Sequence, residues 1–179
     1  SLGELLDMAA VMGTARQIKA IWNEKKLENK PIINNIINSL KSFLSLEEKI
    51  VKAIISEDEI ADNASTELNS IRRQKKAFAQ NVRNKLDEII SSQHYQKALQ
   101  ESIVTMRQDR YVVPIKQEFK GSLPGVVHDQ SASGATLYIE PMAVVQLNNQ
   151  IRQLEIQEKR EIERILWSFS QKIQENHDF

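Results

Sequence analysis

Pro124-Gly125-Val126-Val127-His128-Asp129-Gln130-Ser131-Ala132-Ser133-Gly134-Ala135-Thr136-Leu137-Tyr138-Ile139-Glu140-Pro141 decides the fold. These eighteen positions hold two glycines, two prolines and a dense set of small polar residues, while the chain on either side is charged and helical in pattern. Val126-Val127 and Leu137-Tyr138-Ile139 read as strands, and Ser131-Ala132-Ser133-Gly134 as the turn between them, with Gly134 free to take positive φ. A turn-rich β insert between two long helices reads as a shaft with a grip at its end.

Upstream of the quoted stretch, Ile103-Val104-Thr105 and Tyr111-Val112-Val113 favour strands, and Gln108-Asp109-Arg110 between them reads as a hairpin turn. Pro114 lacks a ladder donor, so its strand is expected at a sheet edge or with a bend there. Gly121 and Pro124-Gly125 supply further turns.

Two long helices flank the insert. Leu68, Ile71, Phe78, Val82, Leu86 and Ile89 recur at steps of three, four and seven, with Lys75 in the one broken apolar slot. Asp62 or Ser65 can cap the start. A helix over 66–91 is about 39 Å long. After Pro141 a helical pattern continues for some thirty-five residues, roughly 52 Å. Its Ile151, Ile162 and Ile173 are spaced by eleven, as are Leu154 and Ile165, which keeps the stripe on a nearly straight helix. Between Glu155 and Glu161 the stripe thins to Ile156, so this part should be solvated or meet a polar partner.

Residues 2–22 place Leu2, Leu5, Leu6, Ala9, Met12, Ile18, Ile21 and Trp22 near helical spacing. A charged turn over 25–30 precedes Pro31, which suits the first position of a helix carrying Ile32, Ile33, Ile36, Ile37 and Leu40. Ser45 opens a short helix with Leu46, Ile50, Ile54 and Ile55. The fold class is therefore mainly α with a small β insert. A helical core (1–65) leads to a first lever helix and connection (66–102), a β clamp (103–141) and a second lever helix (142–179), the two lever helices antiparallel.

Composition narrows the function. The 179 residues carry 24 basic and 24 acidic side chains, only five glycines and no cysteine. Absent cysteine removes disulfides, thiolate catalysis and cysteine metal sites, and fits a reducing cytoplasm. No apolar run reaches transmembrane length and no signal peptide is visible, so no membrane partner is expected. The chain starts without Met and stops in a helical pattern at Asn176-His177-Asp178-Phe179, which reads as a piece of something larger.

Catalytic constellations are weak. His128, Asp129, Ser131 and Ser133 lie too close in sequence to converge as a relay, and Ser131 stands where a nucleophile elbow needs glycine. They read as turn chemistry, together with Gly125 and Gly134. A metal would find His128, Asp129 and Glu140 but no further ligand, since His94 and His177 lie in unrelated segments; no metal or catalytic residue is assigned. None of the glycines has the context of a phosphate-binding loop. What remains is charge. Arg72, Arg73, Lys75, Lys76, Arg83 and Lys85 form a basic run opposed only by Glu67 between 66 and 86. Arg107, Arg110, Lys116 and Lys120 of the insert are countered by Glu101, Asp109, Glu118, Asp129 and Glu140. These ten cations are the candidate contacts for a polyanion, with a weak, salt-sensitive grip.

The runs Arg110-Tyr111-Val112-Val113-Pro114-Ile115-Lys116 and Gly125 to Pro141 resemble the middle region of the bacterial MutS-two family, MutS paralogues without the mismatch-reading domain. Asp62-Asn63-Ala64-Ser65, leading to Leu68 and Ile71-Arg72, and Leu147-Asn148-Asn149 are similar to the same family. The resemblance implies a modular, homodimeric protein with a helical core, a lever tipped by a clamp, an ATPase using ATP and Mg, and commonly a Smr nuclease domain. It implies that this chain is the core, lever and clamp, without catalytic residues or cofactor of its own. DNA, branched or duplex, is the implied partner in restraining recombination, and the ribosome the alternative in rescue of collided ribosomes. A structural lever with no ligand is the third reading.

Overall fold

The computed structural model describes residues 1–24 and 30–175; all but Lys30 of the expected turn at 25–30, and residues 176–179 with His177, lie outside them. The fold is mainly α with small antiparallel sheets. The chain divides into two compact units, one of Ser1–Asn69 with Lys159–Phe179, the other Ser70–Glu158. The division falls inside the two long helices.

The first unit contains α1 (Leu2–Glu24), α2 (Pro31–Ser39) and α3 (Leu44–Ala53), followed by strands β1 (Ile54–Ser56) and β2 (Glu59–Ile60). Pro31 takes the first position of α2, where its missing N–H costs nothing. Leu5, Ala9 and Met12 of α1 meet Leu46 and Ile50 of α3, with Ile54, Ile60, Leu68, Ile165 and Phe169 completing one core. Ile50 and Leu68 are fully buried, each worth about 1.5–3 kcal/mol relative to exposure. Arg16 clasps Glu47 through two hydrogen bonds of 2.9 and 3.0 Å, joining α1 to α3. That pairing holds the Glu47 carboxyl below the usual carboxylate range.

One expectation fails here. Ile54 and Ile55 do not extend the third helix; they leave it as β1, paired antiparallel with β2. Both are β-branched, and the tight Glu57-Asp58 reversal lets Ile54 and Ile60 bury together in the core. The helix also starts one residue before Ser45, with Phe43 at its cap.

Helix α4 (Thr66–Ser91) begins after a 3-10 turn at Asp62–Ala64. Ser65 performs the capping: its Oγ accepts the Leu68 N–H at 2.9 Å and donates to Glu161 at 2.6 Å. Helix α5 (Met142–Gln174) is the other long helix. Within the second unit the two run antiparallel, because Lys75 meets Glu158 while Val82 and Leu86, further along α4, join Val144 and Ile151, nearer the start of α5. Ile151, Leu154 and Ile165 of the eleven-residue pattern are buried.

The sheet of the second unit has order β3-β4-β6-β5, formed by β3 (Thr105–Arg107), β4 (Arg110–Lys116), β5 (Gly125–Gln130) and β6 (Thr136–Pro141). Val113 and Ile115 of β4 lie opposite Ile139 and Leu137 of β6, and this apolar face packs on Val82, Leu86, Val144 and Ile151. The β3–β4 turn is tighter than expected. Gln108 and Asp109 alone make it, at φ of 51° and 59°, the left-handed pair that a two-residue hairpin requires, and Arg110 already belongs to β4.

Pro114 does not sit in an edge strand, since β4 lies between β3 and β6. The proline is tolerated because β3 pairs only with residues 110–112. Alternate backbone groups point to opposite sides of a strand, so those of Pro114 face the 98–100 segment rather than β6. There the Pro114 carbonyl accepts the Gln100 N–H at 2.9 Å, and no donor is required of it.

Candidate nucleic-acid interface

The ten candidate cations separate by their surroundings. Arg72 and Lys75 are half-buried and both hydrogen-bond to Glu158 of α5, Arg72 at 2.7 Å. A linear reading cannot place this carboxylate beside them, because it stands 86 positions from Arg72. It also explains the lysine in the apolar slot: the thinned part of the α5 stripe presents a charged partner. Burial pushes the Glu158 carboxyl up, but the bonds from Lys75 and Arg72 outweigh it and hold the group below its usual range.

A pH dependence follows from that sign. A carboxyl lowered in the folded state stabilises fully above its unfolded pKa, about 4.3, and the contribution disappears as pH falls through the lower folded value. Urea midpoints of the native chain should therefore drop below about pH 4, and Glu158→Gln should flatten that acid limb while lowering the neutral midpoint.

Arg73, Lys76, Arg83 and Lys85 are exposed, and among the described residues no carboxylate lies within ion-pair distance of them. At 100° per residue, Arg73, Lys76 and Arg83 fall within one 80° sector of α4, over about 15 Å of helix, and Lys85 projects away from it.

The insert's cations are mostly engaged. Arg107 lies 3.4 Å from Asp129 and stacks over the Tyr138 ring at 4.0 Å. Lys116 donates to the Lys97 carbonyl at 3.2 Å. Lys120 is exposed. Arg110 is committed to a buried polar cluster: Glu140, 1% exposed, accepts from Arg110 Nη1 at 2.9 Å and from Asn148 Nδ2 at 2.7 Å, and bonds His128 Nε2 at 2.5 Å. An ionised carboxylate only accepts, so His128 carries its proton on Nε2. Asn148 Nδ2 also donates to the Tyr111 carbonyl at 3.3 Å, and its buried Oδ1 has no hydrogen-bond partner among the described residues. Glu140 thus ties β4, β5, β6 and α5 together. Arg110, His128 and Glu140 are recognisable individually in the sequence, but their convergence depends on strand register.

The residues read as one turn also divide. Ser131, Ser133 and Gly134 form the β5–β6 turn: Ser131 Oγ accepts the Thr136 N–H at 3.1 Å, Ser133 Oγ accepts that of Ala135 at 3.4 Å, and Gly134 has φ of 72°. Gly125, His128 and Asp129 stand in β5. Gly125 matters for proximity rather than conformation, because a Cβ there would strike the Glu140 carbonyl and lie 2.6 Å from Ile139 Cγ2. Among the described residues no group of three or more His, Asp or Glu side chains is arranged to hold a metal, and no helix is long and apolar enough to cross a membrane.

No family model matches the chain. Curated proteins do. The protein named Endonuclease MutS2 of Ruminiclostridium cellulolyticum (strain H10) is 56% identical over 170 residues, which cover 94% of this chain and 22% of that protein. Its namesake in Alkaliphilus oremlandii (strain OhILAs) is 50% identical over 177 residues, 98% of this chain and 22% of the relative. That of Clostridioides difficile (strain 630) is 48% identical over 170 residues, again 94% and 22%. Over nearly its whole length the chain is similar to one segment of MutS2 proteins. It spans 22% of the length of these relatives, and the endonuclease activity in their name is theirs. In this segment the Glu140 cluster joins the strands of the β unit to α5, and Arg73, Lys76 and Arg83 are exposed on α4.

Proposed function

We propose that this MutS2 segment contacts nucleic acid through the Arg73, Lys76 and Arg83 sector of α4 and couples that contact to the parts of a MutS2 protein lying outside it. The observation that carries the reading is the contrast between cations. Those of the β insert are largely spent on Asp129, Glu140 and a backbone carbonyl, and those of the α4 sector have no carboxylate partner among the described residues. Three cations over about 15 Å span two to three phosphates along one strand.

Support for coupling comes from continuity. Residues 66–91 and 142–174 are each one unbroken helix, and each contributes to both compact units. A helix transmits a displacement without melting, which suits the lever role. The β unit serves as the clamp, and its Glu140 cluster keeps it rigid.

Phosphate chemistry is common to DNA and ribosomal RNA, so the partner is decided by measurement. Affinity of the chain for a four-way DNA junction, a linear duplex and collided ribosomes, each over a salt series, should show junction DNA bound most tightly. Binding should weaken about sixfold when salt doubles, as expected for three neutralised phosphates. Ribosome binding without DNA binding would transfer the role to ribosome rescue, and binding to none would leave a lever without a ligand.

A further inference from the structure

A second concentration of positive charge lies in the first unit, on residues far apart in sequence. Lys49 and Lys52 of α3 and Arg164 and Lys172 of α5 line one cavity of about 430 Å³. Its floor is apolar, from Ala53, Ile165 and Phe169, and no carboxylate is among the lining residues. Asn63 and Ser168 add an amide and a hydroxyl, neither with a hydrogen-bond partner among the described residues.

The neighbouring acid is already occupied. Glu161, 7% exposed, accepts two hydrogen bonds of 2.7 Å from Arg164 and one of 2.6 Å from Ser65. Lys49 and Lys52 have no carboxylate within ion-pair distance among the described residues. Lysines one turn apart repel each other, and a concave wall of low polarity strengthens the field between them. An anion with several acceptor oxygens relieves that repulsion and satisfies the amide and hydroxyl together. A phosphate group, near two negative charges with three terminal oxygens, has this chemistry.

We propose that this cavity binds a phosphate group, carried either by a free nucleotide or by a nucleic-acid backbone. The site shares no residue with the α4 sector, so it stands or fails independently of the function proposed above.

The test is a backbone-amide NMR titration of the chain with three probes: inorganic pyrophosphate, a nucleoside diphosphate, and a short single-stranded oligonucleotide lacking a terminal phosphate. Saturable shifts are expected around residues 49–53, 63–65 and 164–172. The double substitution Lys49→Glu and Lys52→Glu, both on exposed side chains, should weaken binding at least about tenfold. The substitutions Arg73→Glu and Lys76→Glu should leave these shifts in place. Tighter binding of pyrophosphate and nucleotide identifies a free-phosphate ligand, and tighter binding of the oligonucleotide identifies a backbone. Absence of saturable shifts with all three probes, or shifts unchanged in the Lys49/Lys52 variant, overturns the site.

Discussion

Replacing Glu140 by alanine is expected to destabilise the second unit by about 3–5 kcal/mol, the cost of stranding buried charged partners. Three side chains depend on this one carboxylate. Arg110 would lose its anion, His128 the acceptor for its Nε2 proton, and Asn148, whose Oδ1 already lacks a partner, one of its two donor contacts. Glu140→Gln keeps the volume and one carbonyl acceptor, so a smaller loss of about 1–3 kcal/mol is expected. Urea unfolding followed by tyrosine absorbance in a background where Trp22 and Trp167 of the first unit are replaced by Phe reads this, because Tyr95, Tyr111 and Tyr138 all lie in the second unit. Equal midpoints for native chain and Glu140→Ala would remove Glu140 from its organising role.

Gly125→Ala is expected to cost up to about 3 kcal/mol, in the range of an overpacked core. The added methyl would meet the Glu140 carbonyl and Ile139 Cγ2, and relief requires β5 and β6 to separate at the Gly125–Pro141 pairing. Gly134→Ala serves as the comparison. Nothing lies within 4 Å of a Cβ there, so only the left-handed backbone is penalised, about 1–2 kcal/mol. Because the Gly125 clash displaces the residue that anchors the cluster, Gly125→Ala and Glu140→Ala together should destabilise less than their sum. Strict additivity in the same unfolding assay would separate the two features.

Periodicity made the long elements legible. Residues 66–91 carry one apolar stripe at helical spacing, preceded by the Ser65 cap, so the extent of this helix is legible. The β5–β6 hairpin was equally readable, because Ser131 to Gly134 has turn chemistry and β-favouring residues flank it. The β1–β2 hairpin was not. Ile54 and Ile55 fit a helical stripe as well as a strand, and only burial of Ile54 beside Ile60 decides between them. Pro114 misled for a related reason: its missing donor matters only on the side where a partner strand runs.

The candidate interface was legible as composition and not as geometry. A count of charges marks Arg72 and Lys75 as part of a basic face, yet Glu158 neutralises them from the other helix. Arg110 looked like a contact for a polyanion and is instead the counterion of Glu140. The Lys49, Lys52, Arg164 and Lys172 cavity left no trace in the sequence, because its two halves are more than 100 positions apart and meet only through packing.

The most direct measurement is the salt dependence of junction-DNA binding by the native chain and by the triple variant Arg73→Glu, Lys76→Glu, Arg83→Glu. A slope of log affinity against log salt near −2.7 is predicted for the native chain, from about −0.9 per neutralised phosphate. In the triple variant the slope should shrink toward zero and affinity fall at least about tenfold at low salt. The same slope and affinity in both proteins would contradict a nucleic-acid contact through this face of α4.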